Sequence, residues 1–347
     1  MPEKARRRSR IALDAMGGDG APEVVVEGCL KALESGKVSI SLIGPASRLR
    51  REFGRFRGIP EGLRIINAPD VVGMDEAPVA VLRRKKNSSM ATAARMVAQR
   101  EADAMVTAGN TGAAWIASKA ALGMIPGIER PALAVILPST GGQTLLLDAG
   151  ANILCKPHHL LHYAIMGSLY AERVLGIKQP SVGLMSVGEE ESKGSPLIRE
   201  GYQSLSSAGI NFIGNVEGRD IFSGKTDVVV TDGFTGNVIL KVTEGLGEMV
   251  ISSLVEEARK STVYSAGLLM AKGVFKKLKK KVDYSEYGGA PLLGIDGPCL
   301  VAHGRSSAQA IMNAILFAAS YASSGIIESI ARTIDEMGIP KGAEENE

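Results

Sequence analysis

The sequence predicts an α/β fold in which helices cover both faces of a mostly parallel sheet. Short apolar runs alternate with amphipathic stretches throughout the 347 residues, which is the pattern of repeated strand–helix units. Glycine is frequent, with 41 residues, and aromatic residues make up only 4%, as expected where many tight turns join strands to helices. Apolar residues make up 45% and charged residues 22%, values that exclude a disordered or fibrous chain.

The first half of the chain is predicted to supply the start of the sheet. Strands are predicted over residues 10–14, 38–43, 63–67 and 103–107, where short apolar runs are bounded by turn-forming residues. Helices are predicted over residues 22–34, 88–101 and 111–122, where apolar residues recur at helical spacing. Pro22 is favourable in the first turn of its helix because its missing N–H would be unpaired there anyway.

The second half continues the same alternation. Strands are predicted over residues 132–137, 144–148, 181–187, 211–214 and 227–231. Helices are predicted over residues 157–175, 197–208, 235–260 and 306–334, the last as one helix or two. We therefore expect one two-lobed domain over residues 10–337, with a lobe boundary near residues 137–142 and a protruding helical hairpin at about 250–282. Residues 1–9 are expected to form a basic tail and residues 338–347 a polar tail.

Cysteine usage and charge indicate the compartment and exclude some partners. Cys29, Cys155 and Cys299 are widely spaced and form no CxxC pair, so a reducing cytoplasm is the expected location. No stretch reaches the ~20 apolar residues of a membrane span, and the N-terminal residues lack the apolar core of a secretory signal. The net charge of +3 does not identify a nucleic-acid binder, and no nucleic-acid partner is expected.

Four turns that follow predicted strands are the candidate binding loops, because ligands of parallel sheets bind beyond the carboxyl ends of the strands. Gly lets backbone approach a ligand, and N–H groups at a helix start attract anions. The same residues also make ordinary turns and N-caps, which is the alternative interpretation. The candidate residues are Asp14, Gly17, Gly18, Asp19, Gly109, Asn110, Thr111, Gly112, Asp148, Asn152, Asp232, Gly233, Thr235, Gly236 and Asn237.

A basic and hydroxyl-rich run at residues 83–89 is a further candidate. Its cations precede a predicted helix start and suit a phosphate or an acidic partner, with Lys85, Asn87 and Ser88 as candidate binding residues, or else form a solvated face. His303 lies in a Gly-flanked turn before a helix, where a functional and a structural role are both open. His158 and His162 lack an evident third ligand, so no metal is expected.

Residues 260–282 contain no acidic residue but many lysines interleaved with apolar residues. A basic amphipathic hairpin of this kind suits an anionic membrane surface, although it would also suit a dimer interface or an acidic protein. The expected membrane contacts are Leu268, Leu269, Val274, Phe275, Lys276 and Lys277.

Eight motifs follow one another over about residues 10–337: IALDAMGGDGAP, RRKKNSSM, TAGNTGA, DAGAN, INFIGNVEGRD, DVVVTDGFTGNV, YGGAPLLGIDGP and VAHGRS. In this order they resemble the motifs of the bacterial phosphate acyltransferase family of phospholipid synthesis. Two departures are visible: Gly20 stands where the family often has His, and the stretch at 193–196 reads KGSP where KGN is usual. The resemblance implies a fold similar to phosphate acetyltransferases and to isocitrate and isopropylmalate dehydrogenases, a homodimer, and peripheral association with the inner face of the cell membrane.

The resemblance also implies a reaction. The family transfers a fatty acyl group from acyl-acyl carrier protein to inorganic phosphate, and the resulting acyl phosphate serves a membrane glycerol-3-phosphate acyltransferase in phosphatidic acid synthesis. Phosphate is itself a nucleophile, so no covalent serine or cysteine and no cofactor is expected. Asn110, Asn237, His303 and Lys193 are the expected catalytic residues, and Lys85, Lys193 or Arg305 would supply charge.

Two other classes of function remain open from the residues alone. One is a dehydrogenase of the same sheet class, although no GxGxxG follows a predicted strand and no acidic metal cluster is evident. The absence of GxxxxGK[ST] and GxSxG disfavours phosphoryl transfer by a P-loop and α/β-hydrolase chemistry. The other class is a membrane-docked lipid-binding protein without catalytic activity, which would explain residues 260–282 but not the anion-type turns.

Overall fold

The structure is a computed structural model that describes residues 8–56, 58–274 and 288–338. Its strands are β1 (Ser9–Asp14), β2 (Val38–Gly44), β3 (Leu63–Asn67), β4 (Ala104–Thr107), β5 (Ala132–Leu133), β6 (Val135–Ser139), β7 (Gly142–Leu147), β8 (Val182–Met185), β9 (Phe212–Val216), β10 (Val228–Val230), β11 (Ala290–Leu293) and β12 (Cys299–Val301). Its helices are α1 (Glu23–Leu33), α2 (Ala46–Phe53), α3 (Ala80–Arg83), α4 (Ser89–Ala98), α5 (Thr111–Leu122), α6 (Pro157–Arg173), α7 (Pro196–Ser206), α8 (Asp220–Ser223), α9 (Gly233–Arg259), α10 (Thr262–Met270), α11 (Ala308–Ala322) and α12 (Ile326–Glu336).

The strands form two sheets, and most of the pairings are parallel. The first sheet has the order β3-β2-β1-β4-β12-β11-β5, in which β11 pairs antiparallel with both of its neighbours. The second has the order β6-β7-β10-β8-β9, in which β6 is the antiparallel strand. The predicted α/β class with mostly parallel strands is therefore confirmed, but the strands divide between two sheets.

The chain passes from the first sheet to the second within the segment that the sequence predicted as one strand over 132–137. Ala132 and Leu133 pair with β11, whereas Val135 and the residues after it pair with β7. Ala134 lies between them and its N–H donates to the Pro291 carbonyl, 3.0 Å away. The run is uniformly apolar because both of its halves are buried, so its composition gives no sign of the change of sheet.

Burial explains why these segments form strands and helices. Val228, Val229 and Val230 are completely buried, as expected for a central parallel strand that is covered on both faces. On one face of the first sheet α11 packs against α1, β1 and β4, and on the other α4 packs against α5, β1 and β2. The predicted helix over 306–334 is two helices, because Gly325 takes a left-handed φ of +67° between them.

No single helix within the described ranges is long and apolar enough to cross a bilayer. The helices α11 and α12 reach the necessary length and composition only as a pair, and that pair is bent by 48°.

The strands predicted from the sequence did not include β11 and β12, whose short apolar runs are interrupted by glycine and proline.

The helices α9 and α10 pack against each other as a hairpin that begins earlier than the predicted one at about 250–282, whose last residues lie outside the described ranges. Of the 27 residues of α9, a length of about 40 Å, the buried ones are Gly233, Gly236, Leu240 and Ala258, so most of this helix is exposed. Among the predicted membrane contacts, Leu268 is half-buried, and Leu269 and Val274 are exposed. Phe275, Lys276 and Lys277 lie outside the described residues.

Candidate active site

A cleft of about 460 Å³ lies where the carboxyl ends of strands from both sheets meet. Residues that follow β1, β4 and β12 form one side, and residues that follow β7 and β10 form the other. Seven of the predicted site residues line it, and Ala149 and Gly150 of the DAGAN motif lie beside them; the seven are Asp19, Gly109, Thr111, Gly233, Asn237, His303 and Arg305. The topology of two sheets thus brings the turns after five strands together at one place.

The turn after β1 packs against the turns after β4 and β12, which line the cleft. Asp14 is buried, and its carboxylate accepts hydrogen bonds from the Thr107 hydroxyl at 2.7 Å and from the Met16 N–H at 3.0 Å. Burial raises the pKa of Asp14, against the effect of these hydrogen bonds. Gly17 packs directly on the backbone of Gly109, and the N–H of Asp19 donates to the Gly304 carbonyl at 2.8 Å, while Gly18 contacts the same carbonyl. Asp14 therefore joins the turns after β1 and β4, and does not itself line the cleft.

Asn110 begins α5 and fixes the loop before α3. Its Oδ1 accepts from the Ala113 N–H at 2.9 Å, which caps the helix, and its Nδ2 donates to the Met74 carbonyl at 2.8 Å. Both ends of the amide are therefore engaged by backbone. Thr111 lines the cleft, and Gly112 packs against Pro78. The exposed start of α5, rather than the Asn110 side chain, faces the cleft.

The turn after β7 is organised by Asp148, which is completely buried. Its carboxylate accepts four backbone N–H groups, from Leu133, Gly150, Ala151 and Asn152, at 2.6–3.0 Å. Burial raises the pKa of Asp148 to about 6, which leaves it ionised at pH 7–8. The Asn152 amide donates to the Tyr163 hydroxyl at 3.0 Å. The side chains of Asp148 and Asn152 thus stabilise the turn, and Gly150 is the residue of the turn that lines the cleft.

The start of α9 is locked against this turn. Asp232 caps the helix by accepting the Thr235 N–H at 2.9 Å and the Thr235 hydroxyl at 2.7 Å. The N–H of Gly233 donates to the Asn152 carbonyl at 3.0 Å. A Cβ atom on Gly236 would lie 1.8 Å from the Asp148 carbonyl oxygen, so only glycine fits there. Asp232, Thr235 and Gly236 therefore position the helix end, from which Asn237 extends into the cleft.

Asn237, Lys241 and Glu244 follow one another along one face of α9. Asn237 lies against Gly150, and its amide makes no hydrogen bond to another described residue. Lys241 lines the cleft and its Nζ donates to Glu244 Oε2 at 2.9 Å. The other oxygen, Glu244 Oε1, is buried, has no hydrogen bond within the described part of the chain, and lies 3.9 Å from His303 Nε2.

The Nε2 atom of His303 is the ring nitrogen that lies near Glu244. The N–H of Arg305 donates to His303 Nδ1 at 3.0 Å, so the neutral ring carries its proton on Nε2. Burial lowers the pKa of His303, so the ring is neutral at pH 7–8. Arg305 itself lines the cleft, and its guanidinium lies 3.4 Å from the carboxylate of Glu248.

The remaining predicted binding residues lie outside the cleft. Lys85 donates to Glu76 and to the Val71 carbonyl, so its charge is already neutralised. Ser88 is buried and caps α4 through its hydroxyl, and Asn87 is exposed beside it. Lys193 is exposed in the loop between β8 and α7. The structure does not bring these four side chains together with the cleft residues.

Comparison with known proteins identifies the chain. A family model described as "Fatty acid synthesis protein" matches residues 9–329. The chain is 48% identical to a phosphate acyltransferase of Pelotomaculum thermopropionicum, over 96% of this chain and 97% of that protein. It is 47% identical to a phosphate acyltransferase of Geobacter sulfurreducens, over 94% of each chain. The chain belongs to the phosphate acyltransferase family. It is accordingly an acyltransferase of lipid biosynthesis, as its motifs predicted.

Solved structures support the fold of this acyltransferase. A phosphotransacetylase from Streptococcus pyogenes superposes with a TM-score of 0.62 at 16% identity, over 91% of this chain and 94% of that chain. A branched-chain phosphotransacylase from Enterococcus faecalis superposes with a TM-score of 0.55 at 13% identity, over 91% and 99%. At these identities the similarity shows a shared fold, and the predicted likeness to phosphate acetyltransferases is confirmed.

Sequence reasoning missed several residues that line or border the acyltransferase cleft. Lys241 and Glu244 lie four and seven residues after Asn237, so helical spacing alone would have placed them on the same face. An apolar wall was missed as well, because its members come from strands and loops distant in sequence. It consists of Met74, Leu133, Val135, Ile153, Phe234, Leu240, Ala290 and Val301.

One group among the described residues has metal-ligand spacing, namely Glu129, His158 and His159. The Lys156 N–H donates to His159 Nδ1 at 3.0 Å, which places the proton of the neutral ring on Nε2. That Nε2 lies 3.2 Å from Glu129 Oε2 without hydrogen-bond geometry, and His158 Nε2 lies 2.6 Å from the same oxygen. Because His159 Nδ1 accepts the N–H of the residue before α6, the ring serves as a cap at the start of that helix.

Proposed function

We propose that the chain transfers a fatty acyl group from acyl-acyl carrier protein to inorganic phosphate, giving acyl phosphate for phosphatidic acid synthesis. The single observation that carries this proposal is the division of the cleft into a polar and an apolar part. The starts of α5 and α9 and the cations Lys241 and Arg305 lie at the same cleft as a wall of apolar side chains. Such a cleft suits an anion next to an acyl chain.

The polar part suits phosphate. The first N–H groups of an α-helix have no partner within the helix and attract anions, and α5 begins in the cleft with Thr111. Lys241 and Arg305 add positive charge from α9 and from the loop after β12. Each of these cations also has a carboxylate neighbour, which keeps the side chain oriented without filling the cleft.

The chemistry needs positioning more than a covalent nucleophile. A phosphate oxygen attacks the thioester carbonyl carbon, the carbonyl oxygen becomes an oxyanion, and the C–S bond then breaks to release the carrier thiolate. We assign the free amide of Asn237 to the oxyanion and the Nε2–H of His303 to the developing thiolate. Because His303 is neutral at pH 7–8, it would stabilise the thiolate by a hydrogen bond rather than by full proton transfer. Lys193 stays a predicted catalytic residue without a place in this cleft.

The proposal is tested by measuring thioester loss from acyl-acyl carrier protein with and without inorganic phosphate, in the presence of EDTA. Trapping the product with hydroxylamine distinguishes acyl phosphate from free fatty acid. We expect phosphate-dependent thioester loss and an equal yield of hydroxamate. Thioester loss that is independent of phosphate would overturn the proposal, as would reduction of a nicotinamide. Binding of acyl chains without turnover would instead favour a lipid-binding protein.

We also propose that the enzyme is a homodimer that associates with the inner face of the cell membrane. The exposed apolar side chains of α9 support the dimer, because a row of this length is unusual on a monomer surface. Exposed Leu269 and Val274, near a lysine-rich sequence, support contact with an anionic bilayer. At that surface the acyl phosphate would reach a membrane glycerol-3-phosphate acyltransferase.

A further inference from the structure

The basic run at residues 83–86 divides into two parts in the folded protein. Lys85 turns toward the body of the protein, where Glu76 neutralises it. Arg83, Arg84 and Lys86 are exposed and make no ion pair with another described residue. The sequence alone left a phosphate site and an acidic partner as alternatives. The structure favours the partner, because the hydroxyl of Ser88 is buried in a helix cap and does not join the cations.

Two exposed apolar residues lie next to these cations in the chain. Val79 and Leu82 are each 40% exposed on and just before α3, which is unusual for large apolar side chains. We name Val79, Leu82, Arg83, Arg84 and Lys86 the α3 patch. Exposed apolar residues next to unpaired cations are the composition of a protein-docking surface.

The α3 patch lies next to the mouth of the cleft. The segment before it is fixed by the Asn110 amide, whose Nδ2 donates to the Met74 carbonyl at 2.8 Å. Met74 lines the cleft, and Pro78 packs against Gly112 at the start of α5. Asp75 is the exposed acid on this segment, so the surface keeps a net positive charge.

We propose that the α3 patch is the docking surface for an acidic carrier protein that delivers its tethered thioester into the adjacent cleft. This inference rests on the proposed function, since that function requires a protein-bound acyl donor. Complementary charge would steer the encounter and orient the carrier, while Val79 and Leu82 would be buried on docking. The contribution is therefore to recognition of the carrier and not to chemistry at the thioester.

The test compares two pairs of adjacent arginines. Arg83→Glu/Arg84→Glu reverses the α3 patch. Arg50→Glu/Arg51→Glu makes the same charge change on α2, where both side chains are exposed and α2 packs against β2 and β3. Binding of fluorescently labelled apo-carrier protein to each full-length variant is measured by anisotropy at two salt concentrations. Turnover is measured with acyl-carrier protein and with acyl-pantetheine, which carries the same thioester without the protein.

We expect the α3 variant to bind the carrier at least ~10-fold more weakly, a difference of about 1.4 kcal/mol, and to show less salt dependence. Its KM for acyl-carrier protein should rise by a similar factor, with unchanged kcat and unchanged kinetics on acyl-pantetheine. Equal weakening in the α2 variant or unchanged affinity in the α3 variant would each overturn the inference. The anisotropy result does not depend on turnover, so a failure of the proposed reaction would be recognised separately.

Discussion

At the scale of single residues, the two asparagines that the sequence treated alike have different roles in the structure. Asn110 and Asn237 both lie at helix starts after strands, in motifs of similar composition. The Asn110 amide is bonded at both ends to backbone, whereas the Asn237 amide makes no such bond to any residue that the structure describes. Composition could place both near the cleft, but only the folded neighbours decide which amide is free for a substrate.

We expect Asn237→Ala to lower kcat by ~10²–10³, the usual effect of removing one oxyanion donor, with little change in thermal unfolding. Asn110→Ala removes a helix cap and frees the loop at Met74, so we expect it to lower the free energy of unfolding by about 1–2 kcal/mol. Turnover and calorimetric unfolding of both variants check this. An Asn237→Ala enzyme with wild-type kcat would remove this residue from the reaction.

The protonation state of His303 leads to a second expectation. Burial lowers its pKa, and Nδ1 accepts the Arg305 N–H, so protonation at acidic pH would turn that acceptor into a donor facing another donor. We expect His303→Gln, which keeps an N–H donor, to retain more activity than His303→Ala. The ratio of wild-type to His303→Gln kcat should be constant from about pH 7 to 9 and fall at lower pH. A ratio that is flat over the whole range contradicts this role.

At the scale of elements, the contact between α9 and the turn after β7 is the closest in the site. The helix can approach only because residue 236 is glycine, whose missing Cβ leaves room for the Asp148 carbonyl. This contact aligns the start of α9, and hence Asn237 and Lys241, with the other half of the cleft.

We expect Gly236→Ala to destabilise the fold by about 3 kcal/mol or more, because a rigid backbone must move to admit one methyl group. Gly267→Ala, in α10, is the matched control, since a Cβ there meets no described residue within 4 Å. Alanine in that helix should be neutral or stabilising by up to about 1 kcal/mol. Chemical denaturation measures both. Similar unfolding midpoints for the two variants would show that the turn is less rigid than its contacts indicate.

The elements also show what a sequence can predict. Strand β10 and helix α5 were predicted to within one residue, because a buried Val run and an Asn cap leave little choice. The short helices α2, α3 and α8 were missed, since four to eight residues carry too little periodicity. The binding turns were located correctly at strand ends, but their division into cleft-lining and supporting residues depends on contacts between distant segments, such as Asp14 with Thr107.

At the scale of the whole molecule, α9 extends a largely exposed apolar surface beyond the cleft. We expect the wild-type protein to be a dimer by light scattering, and Val242→Glu/Leu246→Glu to be a monomer with unchanged circular dichroism. These side chains are 61% and 55% exposed, so their burial must come from a partner. Val187→Glu, at an 81% exposed loop position, is the control that should remain dimeric. A wild-type monomer at micromolar concentration would refute the dimer.

The membrane contact has its own test. We expect the wild-type protein to float with anionic vesicles, because each lysine near the membrane surface contributes about 1 kcal/mol of binding free energy. The variant Leu269→Glu/Val274→Glu should remain in the pellet. Val187→Glu is again the control. If the double variant floats as well as the wild type does, the exposed tip of α10 is not a membrane anchor.

The chain crosses from the first sheet to the second at Ala134 alone, and this short crossing limits how the two halves of the cleft can move. Because β5 and β6 are almost contiguous and belong to different sheets, the two halves of the cleft share a continuous floor and have no flexible hinge between them there. Wide opening and closing, as in enzymes with linked lobes, would have to break paired strands. The acyl phosphate that we propose as the product is sensitive to water, and its protection would fall to the rim of the cleft, where exposed Phe234 and Ile153 could contact a bound acyl chain. The bound acyl chain of the substrate would then itself close the cleft to water.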